Sequence, residues 1–114
     1  MEDLVKLFKA LGDRNRIRIV KLLQVKPLCV CEITQILGLA ISTVSRHLSI
    51  LKGAGLIKDV KVGKWIEYSL TTDKNNSYIV AFMPFLNFWL NDDDQIQRDR
   101  EKIQNTNRYE ICGN

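Results

Sequence analysis

The run Ile33-Thr34-Gln35-Ile36-Leu37-Gly38-Leu39-Ala40-Ile41-Ser42-Thr43-Val44-Ser45-Arg46-His47-Leu48-Ser49-Ile50-Leu51-Lys52-Gly53-Ala54-Gly55-Leu56 holds two short segments of helical period that meet at a glycine. That is the layout of a helix-turn-helix. Val30, Ile33, Ile36 and Leu37 fall on one face of the first segment. Gly38 stands where the chain must reverse, and a residue without Cβ enters the left-handed region cheaply. On the second segment Val44, Leu48 and Leu51 recur at i, i+4 and i+7. The opposite face carries Ser42, Thr43, Ser45, Arg46, Ser49 and Lys52, with no acid among them. Short polar side chains reach base edges and cations neutralise phosphates, so this face suits a DNA major groove.

Upstream, residues 3–11 read as a short helix with Leu4, Phe8 and Leu11 on one face, ended by Gly12. Asp13 then caps a second helix over residues 13–24. It turns Ile17, Val20 and Leu23 inward and covers its outside with Arg14, Arg16, Arg18 and Lys21. Lys26-Pro27 breaks it, because proline lacks the N–H that a helix needs. The third helix begins between Cys29 and Cys31, and the reading helix spans residues 41–54.

After Gly55 the period changes. Residues 57–62 and 65–70 are β-rich runs joined at Gly63-Lys64, a hairpin signal. Lys58, Lys61 and Lys64 line this hairpin and its tip, where a wing would rest on DNA backbone. From Asn76 an apolar stripe returns with Tyr78, Phe82, Phe85, Leu86 and Trp89, broadened by Ile79, Met83, Phe88 and Leu90. So much apolar surface on a small chain implies a partner subunit, and Pro84 should kink the helix. Residues 1–91 therefore form one DNA-binding and dimerisation domain. Residues 92–114 form a polar tail, helical or partly disordered; a helix from Asp92 to about Asn105 would have only Ile96 and Ile103 as apolar contacts.

The 114 residues make one domain, and 46% apolar with 26% charged residues excludes gross disorder. No apolar run approaches the roughly 18 residues of a membrane span. Met1-Glu2-Asp3-Leu4 lacks the basic-then-apolar layout of a signal peptide, so a cytoplasmic protein without a membrane partner is expected. Three cysteines make no disulfide framework; in a reducing compartment they read as thiol ligands or redox groups. The net charge of +4 is concentrated: residues 1–74 hold thirteen Lys/Arg against seven Asp/Glu, and the remainder four against six. The basic part contains the helix-turn-helix, which points to a polyanion as its partner.

In this order of elements the chain resembles the ArsR/SmtB family of winged-helix metalloregulators. The resemblance runs from Leu4 to about Leu90 and is carried by Leu7-Phe8-Lys9-Ala10-Leu11-Gly12-Asp13, Arg16-Ile17 and Leu22-Leu23. It continues through Leu28-Cys29-Val30-Cys31-Glu32-Ile33, Ser42-Thr43-Val44-Ser45-Arg46-His47-Leu48, Leu51-Lys52-Gly53-Ala54-Gly55-Leu56 and Val62-Gly63-Lys64-Trp65. It implies a mostly α winged helix-turn-helix homodimer, paired through its first and last helices, that represses until a ligand releases it from double-stranded operator DNA. The Leu28-Cys29-Val30-Cys31-Glu32 run is similar to that of arsenite-responsive repressors, which implies arsenite or antimonite as inducer and no obligatory cofactor. Such repressors often carry a third cysteine where this chain has Thr34. The departure leaves two choices, a dithiolate site completed by solvent or a third thiolate from Cys112. Ser42, Thr43, Ser45, Arg46 and His47 are the expected contacts to bases or nearby phosphates, with Lys52, Lys61 and Lys64 supplying sequence-independent attraction.

Thiolates bind soft ions, and a helix N-terminus favours the thiolate, so Cys29 and Cys31, with Lys26 close by, are expected to have lowered pKa values. On a regular helix residues i and i+2 point about 200° apart. Both sulfurs would then grip one ion only if the first turn unwound, which would disturb the packing of the third helix on the reading helix. A thiol redox or persulfide sensor of the same fold, using Cys29 or Cys31 with Cys112, is the alternative function. An enzyme is not expected: the pair is CxC rather than CxxC, and no nucleophile–histidine–acid set or glycine-rich cofactor loop is evident.

Overall fold

The computed structural model describes residues 1–108. The elements in chain order are α1 (Glu2–Leu11), α2 (Arg14–Leu23), β1 (Leu28–Cys29), α3 (Val30–Leu37), α4 (Ile41–Gly53), β2 (Ile57–Val62), β3 (Trp65–Leu70), α5 (Ser77–Phe88) and α6 (Asp94–Gln104). The expected Gly12 break and Asp13 cap are both present, with Asp13 accepting from the backbone of Asn15 at 2.8 Å and of Arg16 at 3.2 Å. Gly38 takes φ +70° between α3 and α4, the left-handed turn that its lack of Cβ allows. Ile33, Ile36 and Leu37 of α3 meet Val44, Leu48 and Leu51 of α4 in one core, joined by Ile19, Val20, Leu22, Leu28, Leu56 and Ile57.

The hairpin forms in the register Val62↔Trp65 with Gly63 at φ +60°, glycine at the first of two loop residues. A third strand, not expected from the sequence, joins it. Leu28 and Cys29 pair antiparallel with Tyr68 and Glu67, giving the sheet order β1-β3-β2. Two residues are too short to show a period of two, and Pro27 before them reads only as a helix breaker. The pairing seats Cys29 directly on the sheet of the hairpin.

Two inward faces differ from expectation. In α1 Leu7 and Ala10 are buried while Phe8 points out toward Phe82, edge-on at 6.2 Å between ring centroids. In α2 Ile19 and Leu22 join Val20 and Leu23 inside, while Ile17 is only half-buried. Lys21, expected outside, is 1% exposed. Its ammonium donates to the Leu86 carbonyl at 2.6 Å and to Asn91 Oδ1 at 2.9 Å, capping the end of α5. These contacts satisfy a buried cation, and burial, with Arg100 nearby, lowers its pKa to about 8.

The polar stretch after Asn91 forms α6, capped by Asp93, whose carboxylate accepts from the Ile96 N–H at 3.1 Å. Ile96 and Ile103 are buried, and the helix packs against α2 and α3. Arg18 of α2 holds the buried Asp99 through two bonds, Nε at 2.9 Å and Nη2 at 3.0 Å. Such a two-point pair fixes orientation as well as distance.

Candidate functional site

Two features carry chemistry: an exposed polar face on α4 and a sulfur pair at the start of α3. On α4 Ser42, Ser45, Arg46, Ser49 and Lys52 are exposed and Thr43 is half-buried. Lys52 pairs with Asp59 on β2 at 3.0 Å, an exposed bridge that joins the reading helix to the wing. On the hairpin, Lys58 donates to Thr72 Oγ1 at 3.1 Å, Lys61 is exposed, and the Lys64 ammonium lies 4.9 Å from the Trp65 ring centre. These lysines are therefore placed at the wing, next to α4.

His47 is a correction. It is 3% exposed and cannot meet DNA in this conformation. Its Nδ1 lies 3.2 Å from Arg16 Nη1, and because arginine can only donate, Nδ1 is the acceptor. Burial lowers its pKa; the Arg16 and Arg46 charges act the same way, and Asp13 opposes them. Arg16 also donates to the carbonyls of Ala10 at 2.7 Å and Lys9 at 3.2 Å, so His47 belongs to a joint that fastens α4 to the end of α1. The polar pattern of α4 disguised it, since its partner lies on another helix.

The sulfur pair is a second correction. Cys29 is the N-cap of α3, with extended backbone at φ −88° and ψ 165°, rather than its first helical residue. The helical angle between i and i+2 therefore does not apply, and the sulfurs of Cys29 and Cys31 stand 3.4 Å apart with no turn unwound. A capping box holds this geometry: Glu32 Oε1 accepts from the Cys29 N–H at 2.9 Å, and the Cys29 side chain faces the Glu32 N–H. The Cys-x-x-Glu spacing, a capping box with sulfur in place of a hydroxyl, was the signal for Glu32 that went unread.

The third correction concerns ionisation. Burial pushes the Cys29 thiol up, and the Glu32 carboxylate adds to this; the Glu32 N–H and the Arg108 cation pull the other way without prevailing. The helix-end effect is real, but Cys29 is 1% exposed and has a carboxylate beside it. Glu32, itself 2% exposed, meets Arg108 at 3.1 Å, and Arg108 also reaches Glu67 Oε2 at 3.0 Å. Among the described residues no cluster of three or more His, Cys, Asp or Glu is arranged to hold a metal ion. Cys112 lies outside the described residues.

A third surface is apolar. Val5 and Phe8 of α1 and Phe85, Phe88 and Trp89 at α5 are exposed, Phe88 at 80%. Phe82, Phe85 and Trp89 form one aromatic cluster, with Trp89 5.6 Å from each of the other two rings. Among the described residues no helix is long and apolar enough to cross a membrane.

Residues 13–59 match the family described as bacterial regulatory protein, arsR family. The arsenical resistance operon repressor of Escherichia coli strain K12 is 43% identical over 68 residues, covering 59% of this chain and 58% of that protein. The chain thus spans less than two thirds of that relative's length. An uncharacterised HTH-type transcriptional regulator of Methanocaldococcus jannaschii is 42% identical over 74 residues, covering 64% of this chain and 83% of that protein. Among solved structures, the transcriptional repressor PagR of Bacillus anthracis superposes with a TM-score of 0.59 at 37% identity, covering 75% of this chain and 94% of that one.

Proposed function

Because the chain belongs to the arsR family of bacterial regulatory proteins, we propose that it is a transcriptional repressor, released from operator DNA when arsenite or antimonite binds Cys29 and Cys31. The observation that carries the ligand assignment is the 3.4 Å sulfur separation at the cap of α3. With metal–sulfur bonds of ~2.3 Å, that separation corresponds to a bond angle of about 95°. This is narrower than a tetrahedral ion such as zinc prefers, and it suits a pyramidal trivalent centre with a lone pair. Sulfur donors also favour a soft ion over oxygen-loving magnesium or calcium.

The binding step balances without net proton release. Cys31 is disulfide-bonded in this structure, so a thiol reductant first frees it; neutral arsenous acid then condenses with two thiols, two sulfur–arsenic bonds form, two arsenic–oxygen bonds break, and two waters leave with the thiol protons. A raised Cys29 pKa is therefore no obstacle to this ligand. The third coordination position is filled by the remaining hydroxyl or by Cys112. Binding ties the N-cap of α3 to its first turn. Since α3 packs on α4, a shift there moves the reading helix.

DNA is met by Ser42, Ser45 and Arg46 at base edges or adjacent phosphates, with Thr43 at the margin. Lys52, Lys61 and Lys64 draw in the backbone. A second copy of the chain covers Val5, Phe8, Phe85 and Phe88, which places two reading helices about 34 Å apart for half-sites one DNA turn apart.

The test uses a duplex selected in vitro for tight binding and fluorescence anisotropy with and without arsenite under reducing conditions. The parent is expected to release DNA on arsenite addition, its affinity falling by a factor within the usual allosteric range of about 5–150-fold. Cys29→Ser and Cys31→Ser are expected to ignore arsenite while binding the duplex within about threefold of the parent, a change smaller than that range. Release of the serine variants as readily as the parent would remove the sulfur pair from the mechanism. The same sulfur proximity supports redox or persulfide sensing as a second reading. An oxidant-dependent change in intact mass, with no arsenite response in the reduced protein, would favour it.

A further inference from the structure

Besides α3, which packs on α4, the sulfur pair adjoins the wing sheet. Cys29 sits in β1 opposite Glu67 of β3, so its backbone is part of the wing sheet. The side chains close the same loop from the other side. Glu32 Oε1 accepts both from the Cys29 N–H at 2.9 Å and from Arg108 Nη2 at 3.1 Å. The same Nη2 reaches Glu67 Oε2 at 3.0 Å, and the guanidinium carbon lies 5.6 Å from the Trp65 ring centre at the wing's turn. One arginine from beyond α6 therefore touches the cap of the sulfur site, the middle of β3 and its first residue.

We propose that Arg108 is a positioning residue that transmits occupancy of the sulfur pair to the wing, through the shared oxygen of Glu32 and the carboxylate of Glu67. This rests on the reading of Cys29 and Cys31 as the ligand site. A ligand bonded to the Cys29 sulfur takes up the electrons that face the Glu32 N–H and so loosens the capping box, and Glu32 Oε1 must then re-divide itself between the Cys29 N–H and Arg108. A cleft of about 480 Å³ bounded by Lys26, Glu32 and residues 104–108 gives the guanidinium room to follow. Its movement changes the hold on Glu67 and the stacking over Trp65, which lies beside the Lys64 tip. The wing thus senses the sulfur site by a route that does not pass through α4. The test measures the coupling between the two sites directly.

Arsenite affinity is measured for the full reduced chain with and without the selected duplex, in the parent, Arg108→Gln and Arg108→Lys. The ratio of the two affinities is the coupling factor, and in the parent it should lie in the range of about 5–150-fold. In Arg108→Gln the ratio should fall below about twofold, while DNA-free arsenite affinity and ligand-free DNA affinity each stay within about threefold of the parent. Arg108→Lys keeps a cation between the two carboxylates and should recover part of the ratio. As a spectroscopic readout, 5-fluorotryptophan labelling gives one resonance for each of the two tryptophans, and Trp65→Phe identifies which is which. The Trp65 signal should move on arsenite addition in the parent and stay still in Arg108→Gln. A parent that couples together with an Arg108→Gln that couples equally overturns the role of Arg108 alone. A parent with no arsenite response overturns the ligand reading and this inference with it.

Discussion

Lowering the pH from 8 to 6 should separate two kinds of thiophilic ligand at the sulfur pair, and the size of the separation follows from the state of Cys29. Burial and the Glu32 carboxylate push this thiol above its ordinary value of 9.0. It is therefore protonated throughout that interval in the ligand-free protein. A divalent cation such as cadmium binds thiolate, so it must expel the Cys29 proton, and each proton released weakens binding about tenfold per unit fall in pH. Over two units Cys29 alone contributes about 100-fold, or about 2.7 kcal/mol. Arsenous acid carries its own proton acceptors as hydroxyls that leave as water, so its affinity should stay flat within about threefold over the same interval.

The assay is competition titration of reduced protein in buffers of matched ionic strength, with cadmium or arsenite as titrant. Cys29→Ser serves as the control in which the cadmium slope falls by one proton. A cadmium affinity that stays level from pH 8 to 6 would mean that Cys29 is either already a thiolate or not a ligand, and would refute the reasoning. A steep slope for arsenite would refute the condensation step.

The other expectations concern DNA, assembly and the core. Arg46→Ala should weaken the selected duplex far more than random DNA, whereas Lys64→Ala should weaken both alike and reduce the salt slope by about one; titrations at several salt concentrations separate the two. Phe85→Glu with Phe88→Glu places charges on the apolar face, and sedimentation should show a monomer that keeps the helical spectrum of the parent, while an unchanged dimer would place the subunit contact elsewhere. Lys21 predicts a rise of stability with pH. Its pKa is about 8 in the fold against an ordinary 10.5, so between those values the unfolded chain holds more protons and ∂ΔG/∂pH is positive. That amounts to roughly 2 kcal/mol between pH 7 and 9.5. Cys29 works in the opposite direction, since a raised thiol pKa loses stability as pH rises. Urea denaturation of the parent and of Lys21→Met at both pH values isolates the lysine, because Cys29 is common to both, and equal pH slopes would contradict the buried charge.

What could be read from the sequence was whatever repeats along one element. The α3–α4 unit was legible because Val44, Leu48 and Leu51 recur at a helical interval and Gly38 marks the reversal, and the hairpin because two β-rich runs flank Gly63-Lys64. The misreadings all fall where a second element decides the environment of the first. Lys21 reads as an outer-face cation on α2 and becomes a buried cap only because the end of α5 presents the Leu86 carbonyl to it. His47 reads as a DNA contact on α4 until Arg16 of α2 arrives from the other side. The sulfur pair is the most instructive case. A helical rule applied to Cys29 gave a site that had to break its own turn, yet one residue of β1 extends the backbone and brings the sulfurs together. The strand exists because β3 accepts it, and β3 belongs to the wing. The sequence neighbours of Cys29 therefore point to α3 alone, whereas its backbone partner is Glu67. The proposed sulfur site and the proposed DNA-facing wing share one sheet, a connection that only the pairing of residues nearly forty positions apart could reveal.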